Sequence, residues 1–251
     1  MGKLKALGKV YIIDAFDNKF VFIYTLLFPA LYFIYVNFEQ IIQRNQYSAS
    51  TIVATFRPFW AYIVFIALLN MVIITTIDQR ESGYYKEFYF IVGSKWLIFI
   101  ANFIVQSIFI ICELTVFTIF GMIALRSWYF SILISGLLTG ILAVIPVTMF
   151  LSVLFIFKVK QQSLSIIGTL LVCVLIYLAG LPSRTWLTDL ILLLNPYKYI
   201  LVLSNWITSF TVDGSYDFKS LFQLLFVTLF FCLSGVKGFS KLDILPLLDR
   251  V

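Results

Sequence analysis

The chain of 251 residues contains no histidine. Histidine-ligated metal sites, histidine general bases and Ser-His-Asp triads are therefore excluded. Cysteine is scarce: three residues cannot build a four-cysteine zinc site or a balanced disulfide framework. Cys112, Cys173 and Cys232 all lie inside apolar runs and read as small buried hydrophobes. Charged residues make up only 12% of the chain, about half the share usual in soluble domains. What fills the space is apolar: 62% of residues are hydrophobic, 18% are aromatic and the mean hydropathy is +1.02. Such a composition belongs to a membrane protein and excludes disordered, collagen-like and soluble enzyme folds. The net charge of +6 then reflects Lys and Arg gathered on the cytoplasmic side of a bilayer. No RNA- or DNA-binding pattern is present, so nucleic acid is not an expected partner.

A crossing helix needs about 20 apolar residues. Six runs are read as spans: 20–36, 59–77, 96–125, 130–157, 164–181 and 218–236. Pro29 and Pro146, in the first and fourth, are expected to kink their helices. Residues 182–217 are ambiguous. Trp186–Leu194 is too short to cross, Asn195-Pro196 ends it, and Tyr197–Phe210 is broken by Lys198, Ser204 and Asn205. Two short halves around a proline read as an interfacial or re-entrant helical hairpin on the outer side; the alternative is a seventh span. Charge favours the hairpin. With six crossings and a cytoplasmic N-terminus, twelve Lys and Arg fall inside against six outside, and both termini are cytoplasmic.

Residues 1–19 carry four lysines and two aspartates without an apolar core, so they do not read as a cleaved signal peptide. As a helix they place Leu4, Leu7 and Tyr11 opposite Lys5 and Lys9, the pattern of an interfacial helix on an anionic inner leaflet. A frayed basic tail is the plainer alternative. Trp60, Trp96, Trp128 and Trp186 stand near run ends as interface anchors. Gly136 and Gly140 permit close helix approach, more often within a chain than between chains.

Two segments carry functional signal. Between the second and third runs, residues 78–95 are short, charged and cytoplasmic, and Tyr84, Phe88 and Ile91 repeat at i, i+4, i+7. A short amphipathic helix there can dock into a partner's groove, whereas the bland reading is a solvated turn. In the third run, Asn102, Gln106 and Glu113 fall within about 40° of one another on a helix. A carboxylate at that depth must face protein or water. The stripe therefore belongs to a translocation path, a dimer interface or a hydrogen-bonded helix pair.

At this point the chain resembles the permease subunits of ABC-2 type exporters. Arg80-Glu81-x-Gly83 before the third span resembles the E-x-G-T element of that family's coupling helix. Phe28-Pro29-Ala30-Leu31 resembles the proline-bearing first span, and Leu194-Asn195-Pro196-Tyr197 the N-P segment before the last. Tyr84 replaces the threonine usual after the glycine, and Gly93 stands where proline is common.

The resemblance implies an all-α polytopic fold: an interfacial helix at 1–19, six spans, a coupling segment at 78–95 and an outer hairpin at 182–217, in a single membrane domain. It implies ATPase coupling through Arg80, Glu81, Gly83, Tyr84 and Phe88. It implies a dimer, with a second copy or a paralogous permease, driven by a separate ABC ATPase subunit that binds ATP and Mg. The chain itself has no G-x-x-x-x-G-K-[ST] phosphate loop and no E-A-A-x-x-x-G importer loop. It would be a non-catalytic permease subunit in the cell membrane, needing no cofactor of its own. An amphipathic substrate suits the Phe- and Tyr-rich spans. The narrower resemblance is to Gram-positive exporters of phenol-soluble modulin-type peptides, with polysaccharide or teichoic-acid export as the rival. Outside the family, the alternatives are a channel or secondary transporter that needs no ATPase, and an integral-membrane enzyme.

Overall fold

The computed structural model describes residues 2–17, 23–43, 48–157, 161–182 and 185–246. These residues are helical throughout, with short turns and no strand. We number the helices α1 (Gly2–Asp17), α2 (Ile23–Val36), α3 (Phe38–Gln43), α4 (Ala49–Glu81), α5 (Tyr84–Val92), α6 (Lys95–Ala124), α7 (Phe130–Ile156), α8 (Gln161–Ala179), α9 (Trp186–Leu193), α10 (Pro196–Thr211) and α11 (Phe218–Ser240). Polar residues mark the starts. Ser48, Ser94, Thr185, Asn195 and Asp217 each accept a backbone N–H of the helix they open, satisfying donors that the first turn leaves orphaned. Pro29 stands at the first turn of the regular stretch Phe28–Val36, just after π-wound Ile23–Leu27. Its missing N–H costs little at that position.

Among the described residues four helices are long and apolar enough to cross a bilayer: α4, α6, α7 and α11. The pair α9–α10 passes the same test only together and is bent by 110°, which makes it a broken span or a re-entrant loop. Apolar stretches Ile23–Val36 and Ile166–Ala179 are shorter. The molecule is thus a helical membrane protein with four or five candidate crossings by length. Residues 20–22 of the expected first span lie outside the described residues, as do Lys19, Arg44, Lys158, Lys160, Arg184 and Arg250 of the charge count.

α4 is the centre of the bundle, with α7 and α10 packed along it. Trp60 is fully buried there, its Nε1 donating to Thr118 Oγ1 of α6 at 2.9 Å. This corrects its reading as an interface anchor; Trp96, Trp128 and Trp186 are exposed as that reading requires. Gly136 makes room for Trp60: a Cβ would lie 3.1 Å from its ring. Gly140 faces Leu114 in the same way, so this glycine pair serves packing within the chain. Gly235 and Gly238 of α11 cross α7 backbone to backbone, where a Cβ would come within 2.8 Å of Met149 O and 2.6 Å of Ser152 O. The cysteines are free but not in the core. Cys112 and Cys173 are exposed on the outward faces, and Cys232 is half-buried.

One further expectation changes and another narrows. α1 does not rest on a surface alone: it buries Leu7 and Tyr11 and packs along α6, while Ile13 and Phe16 face outward. Of the two readings of the hairpin, interfacial or re-entrant, burial speaks against the interfacial one for α10. α10 is enclosed by α4, α7, α8 and α11 and buries Tyr199, Ile200, Ser204 and Thr208. Hydroxyls and ring faces on one side of α10 suit burial between helices better than a headgroup layer.

Candidate functional site

Residues 82–94 form a short helical link, braced between α4 and α6, which we call the lever for its shape. α4 runs on as helix to Glu81, so the chain must reverse within Ser82-Gly83. Gly83 takes a left-handed φ of 87° and Gly93 one of 81°, conformations that disfavour side chains with a Cβ. The nine residues of α5 are held between these two turns. Tyr85 is fully buried and donates to Lys95 O at 2.7 Å, while Lys95 Nζ donates to Leu242 O at 2.9 Å. From α1, Lys3 Nζ donates to Val92 O at 3.0 Å, a cation at the C-terminal end of α5, and Tyr11 donates to Gln79 Oε1 at 3.1 Å. Burial raises the pKa of both phenols above the ordinary range, so they remain donors at physiological pH.

The lever's outward face carries Tyr84, Phe90 and Ile91, at 59%, 76% and 71% exposure, with Glu87 among them. At 100° per residue the four fall within about 120°. The residues of the expected coupling set are placed differently from one another: Tyr84 is exposed, and the others are not. Phe88 is half-buried, its ring edge-on to Tyr11 at 6.3 Å, so it belongs to the brace. Arg80 and Glu81 are not free to meet a partner's charges. Their side chains are 1% and 8% exposed and form an ion pair at 2.7 Å. Because α4 continues as helix through them, Arg80 points into the bundle. Tyr85, Lys95 and Phe90 were missed. The two glycines and the spacing Tyr84, Glu87, Ile91 hold the signal that could have found the exposed face.

The stripe of α6 is buried throughout: Asn102, Gln106 and Glu113 are nearly inaccessible. Asn102 Nδ2 donates to Met71 O of α4 at 3.3 Å, and Glu113 Oε1 accepts from Thr25 Oγ1 of α2 at 2.8 Å. Asn102 and Glu113 therefore face helices of the same chain, the arrangement of hydrogen-bonded helix pairs.

At the hairpin, Asn195 Oδ1 caps α10 while its Nδ2 donates to Leu175 O at 2.6 Å. Lys198 Nζ donates to Ala179 O at 3.0 Å, and Tyr197 OH to Pro58 O at 3.2 Å. The Asn-Pro segment thus ties the broken pair to the end of α8 and to α4. Beside it, a cleft of about 440 Å³ is lined by Phe28, Tyr32, Phe59, Tyr62 and Tyr197, together with Asn37 and Thr55. Among the described residues no group of three acidic or cysteine side chains is placed to hold a metal ion. No family model, no curated protein and no solved structure matches this chain.

Proposed function

We propose that the chain is the membrane permease subunit of an ATP-driven exporter, moving an amphipathic substrate outward. The observation that carries this reading is α5. It is a short stiff helix, fixed by turns at both ends between two membrane-length helices, with an exposed face of Tyr84, Phe90 and Ile91 around Glu87. A lever so placed transmits a push from a soluble partner to α4 and α6. In this reading the partner is a separate ABC ATPase that binds ATP and Mg. The permease pairs with a second copy or a paralogue, crosses the cell membrane six times and keeps both termini in the cytoplasm. Arg80 and Glu81 pair with each other at the end of α4, and the docking contact falls to the exposed face of α5. The aromatic cleft beside the hairpin supports an amphipathic substrate, because a mostly apolar wall with a few hydroxyls matches one.

The bend of 110° between α9 and α10 favours a second reading, since broken helices also build ion-coupled secondary transporters. Inside-out vesicles carrying the chain with its ATPase partner separate the two. A fluorescent amphipathic peptide should accumulate on addition of ATP and fail to do so with a non-hydrolysable analogue. Accumulation driven by an ion gradient alone would establish the secondary transporter.

A further inference from the structure

α2 and α4 abandon regular winding where each meets the polar stripe of α6. In α4 the change covers Leu68–Ile74, and in α2 it covers Ile23–Leu27; both are π-wound. A π turn takes in an extra residue and loosens the backbone ladder, and such turns are where long helices bend. The stretch in α4 contains no glycine or proline that would force a break, whereas in α2 Pro29 lacks the N–H that would bond Thr25 O four residues back. The neighbours supply the reason in α4. Thr75 Oγ1 donates to Asn70 O at 2.9 Å, Asn102 Nδ2 to Met71 O at 3.3 Å and Thr76 Oγ1 to Val72 O at 2.6 Å. Three successive carbonyls of the π turn thus carry side-chain donors. In α2, Thr25 lies in the π turn and binds Glu113. α6 itself runs as one unbroken α-helix of 30 residues.

A second observation concerns what the stripe leaves over. Asn102 Oδ1, Gln106 Oε1 and Glu113 Oε2 are buried and have no hydrogen-bond partner among the described residues. Buried polar atoms are seldom left so. Three on one helix face, opposite two irregular turns, are what a stripe with more than one set of partners would show.

We propose that the two π turns are paired hinges, on which α2 and α4 swing against α6, and that Asn102 and Glu113 are the positioning residues that hold one of two settings. Below its hinge, α4 is joined to the lever through α1: Tyr11 donates to Gln79 Oε1 of α4 and Lys3 Nζ to Val92 O of α5. Above it, Ala49–Ala67 carries α10 and the hairpin. A swing at Leu68–Ile74 therefore moves the hairpin relative to α5. The spare acceptors of α6 receive donors in the second setting, so both end points are hydrogen-bonded and the intermediate positions are not. The device does not depend on what drives it and holds for either transport reading.

The test uses the full chain in lipid nanodiscs. Backbone amides at 70–76 should exchange with deuterium about tenfold faster than those at 60–66 of the same helix. Spin labels at Ala54→Cys and Trp128→Cys, with the native cysteines changed to serine, should show two distances. Deleting Met71 removes the extra residue, which should erase the fast exchange and leave one distance. Asn102→Leu should shift the balance between the two distances, and Asn102→Gln should restore it. Equal protection of 70–76 and 60–66, or a single distance in the native sequence, would overturn the proposal. If the deletion variant does not fold, Asn102→Leu decides alone: an unchanged distribution overturns the hinge.

Discussion

At the scale of single residues, depth decides what a polar side chain does. Glu113 is enclosed between α2 and α6 with Thr25 as donor. Glu113→Leu removes the acceptor of this bond and should cost about 1–3 kcal/mol. Glu113→Gln keeps an acceptor and should cost less. Thermal unfolding of both variants in detergent checks this, and transport alongside it separates packing from charge: loss in both variants means the charge is needed, survival of Gln means polarity suffices. A Leu variant with native stability and transport would remove any important role for Glu113. The sequence made this stripe legible because a helical period of 100° per residue brings Asn102, Gln106 and Glu113 together. It did not make Arg80 legible. A basic residue beyond an apolar run normally marks the solvated end of a span, and only the continuation of α4 to Glu81 turns it inward. Trp60 was misread for the same reason, since its partner Thr118 lies 58 residues away.

At the scale of elements, helix starts and turns were the most legible features. Gly83 and Gly93 bracket α5 as their conformational freedom allows, and Asn195 opens α10. Which face α5 shows was harder to read, because α1 occupies the side that holds Phe88, and no local pattern announces that docking. Asp217 gives a test of a cap. Its carboxylate accepts from Ser220 Oγ at 2.5 Å and from the backbone of Ser220 and Lys219. The hydrogen bonds from Ser220, with lesser help from Lys219, hold its pKa below the usual aspartate value. A depressed value means stability that is present above the unfolded pKa of about 3.9 and is lost as pH falls through the native one. Asp217→Ala should cost about 1 kcal/mol at neutral pH, whereas Asp217→Asn keeps the cap and loses the pH dependence. Unfolding curves across pH 2–6, read as the difference between native and Asn variant, check the sign; the exposure of Asp217 keeps the effect small.

At the scale of the whole molecule, composition alone was enough to assign a helical membrane protein, and the apolar runs located its long helices. The number of crossings was not fixed by length, because α9 and α10 are each too short to cross and are joined at a sharp angle. Asn195, Lys198 and Tyr197 bind this pair to α8 and α4 over separations that a linear pattern does not reveal. Six crossings predict that a cysteine at Asp213 is labelled from outside sealed cells and one at Lys241 is not; labelling of the latter would require an odd number. The central claim concerns the lever. Each exposed aromatic at such a contact is worth on the order of 2 kcal/mol. Replacing Tyr84, Phe90 and Ile91 together by alanine should leave the melting temperature unchanged, because these side chains face outward. The decisive measurement is the amount of ABC ATPase that co-purifies with the chain from membranes, together with its hydrolysis rate. The proposal predicts a stoichiometric ATPase with the native chain and its loss, or hydrolysis uncoupled from export, with the triple variant. A triple variant that keeps a full ATPase complement and native export would contradict it.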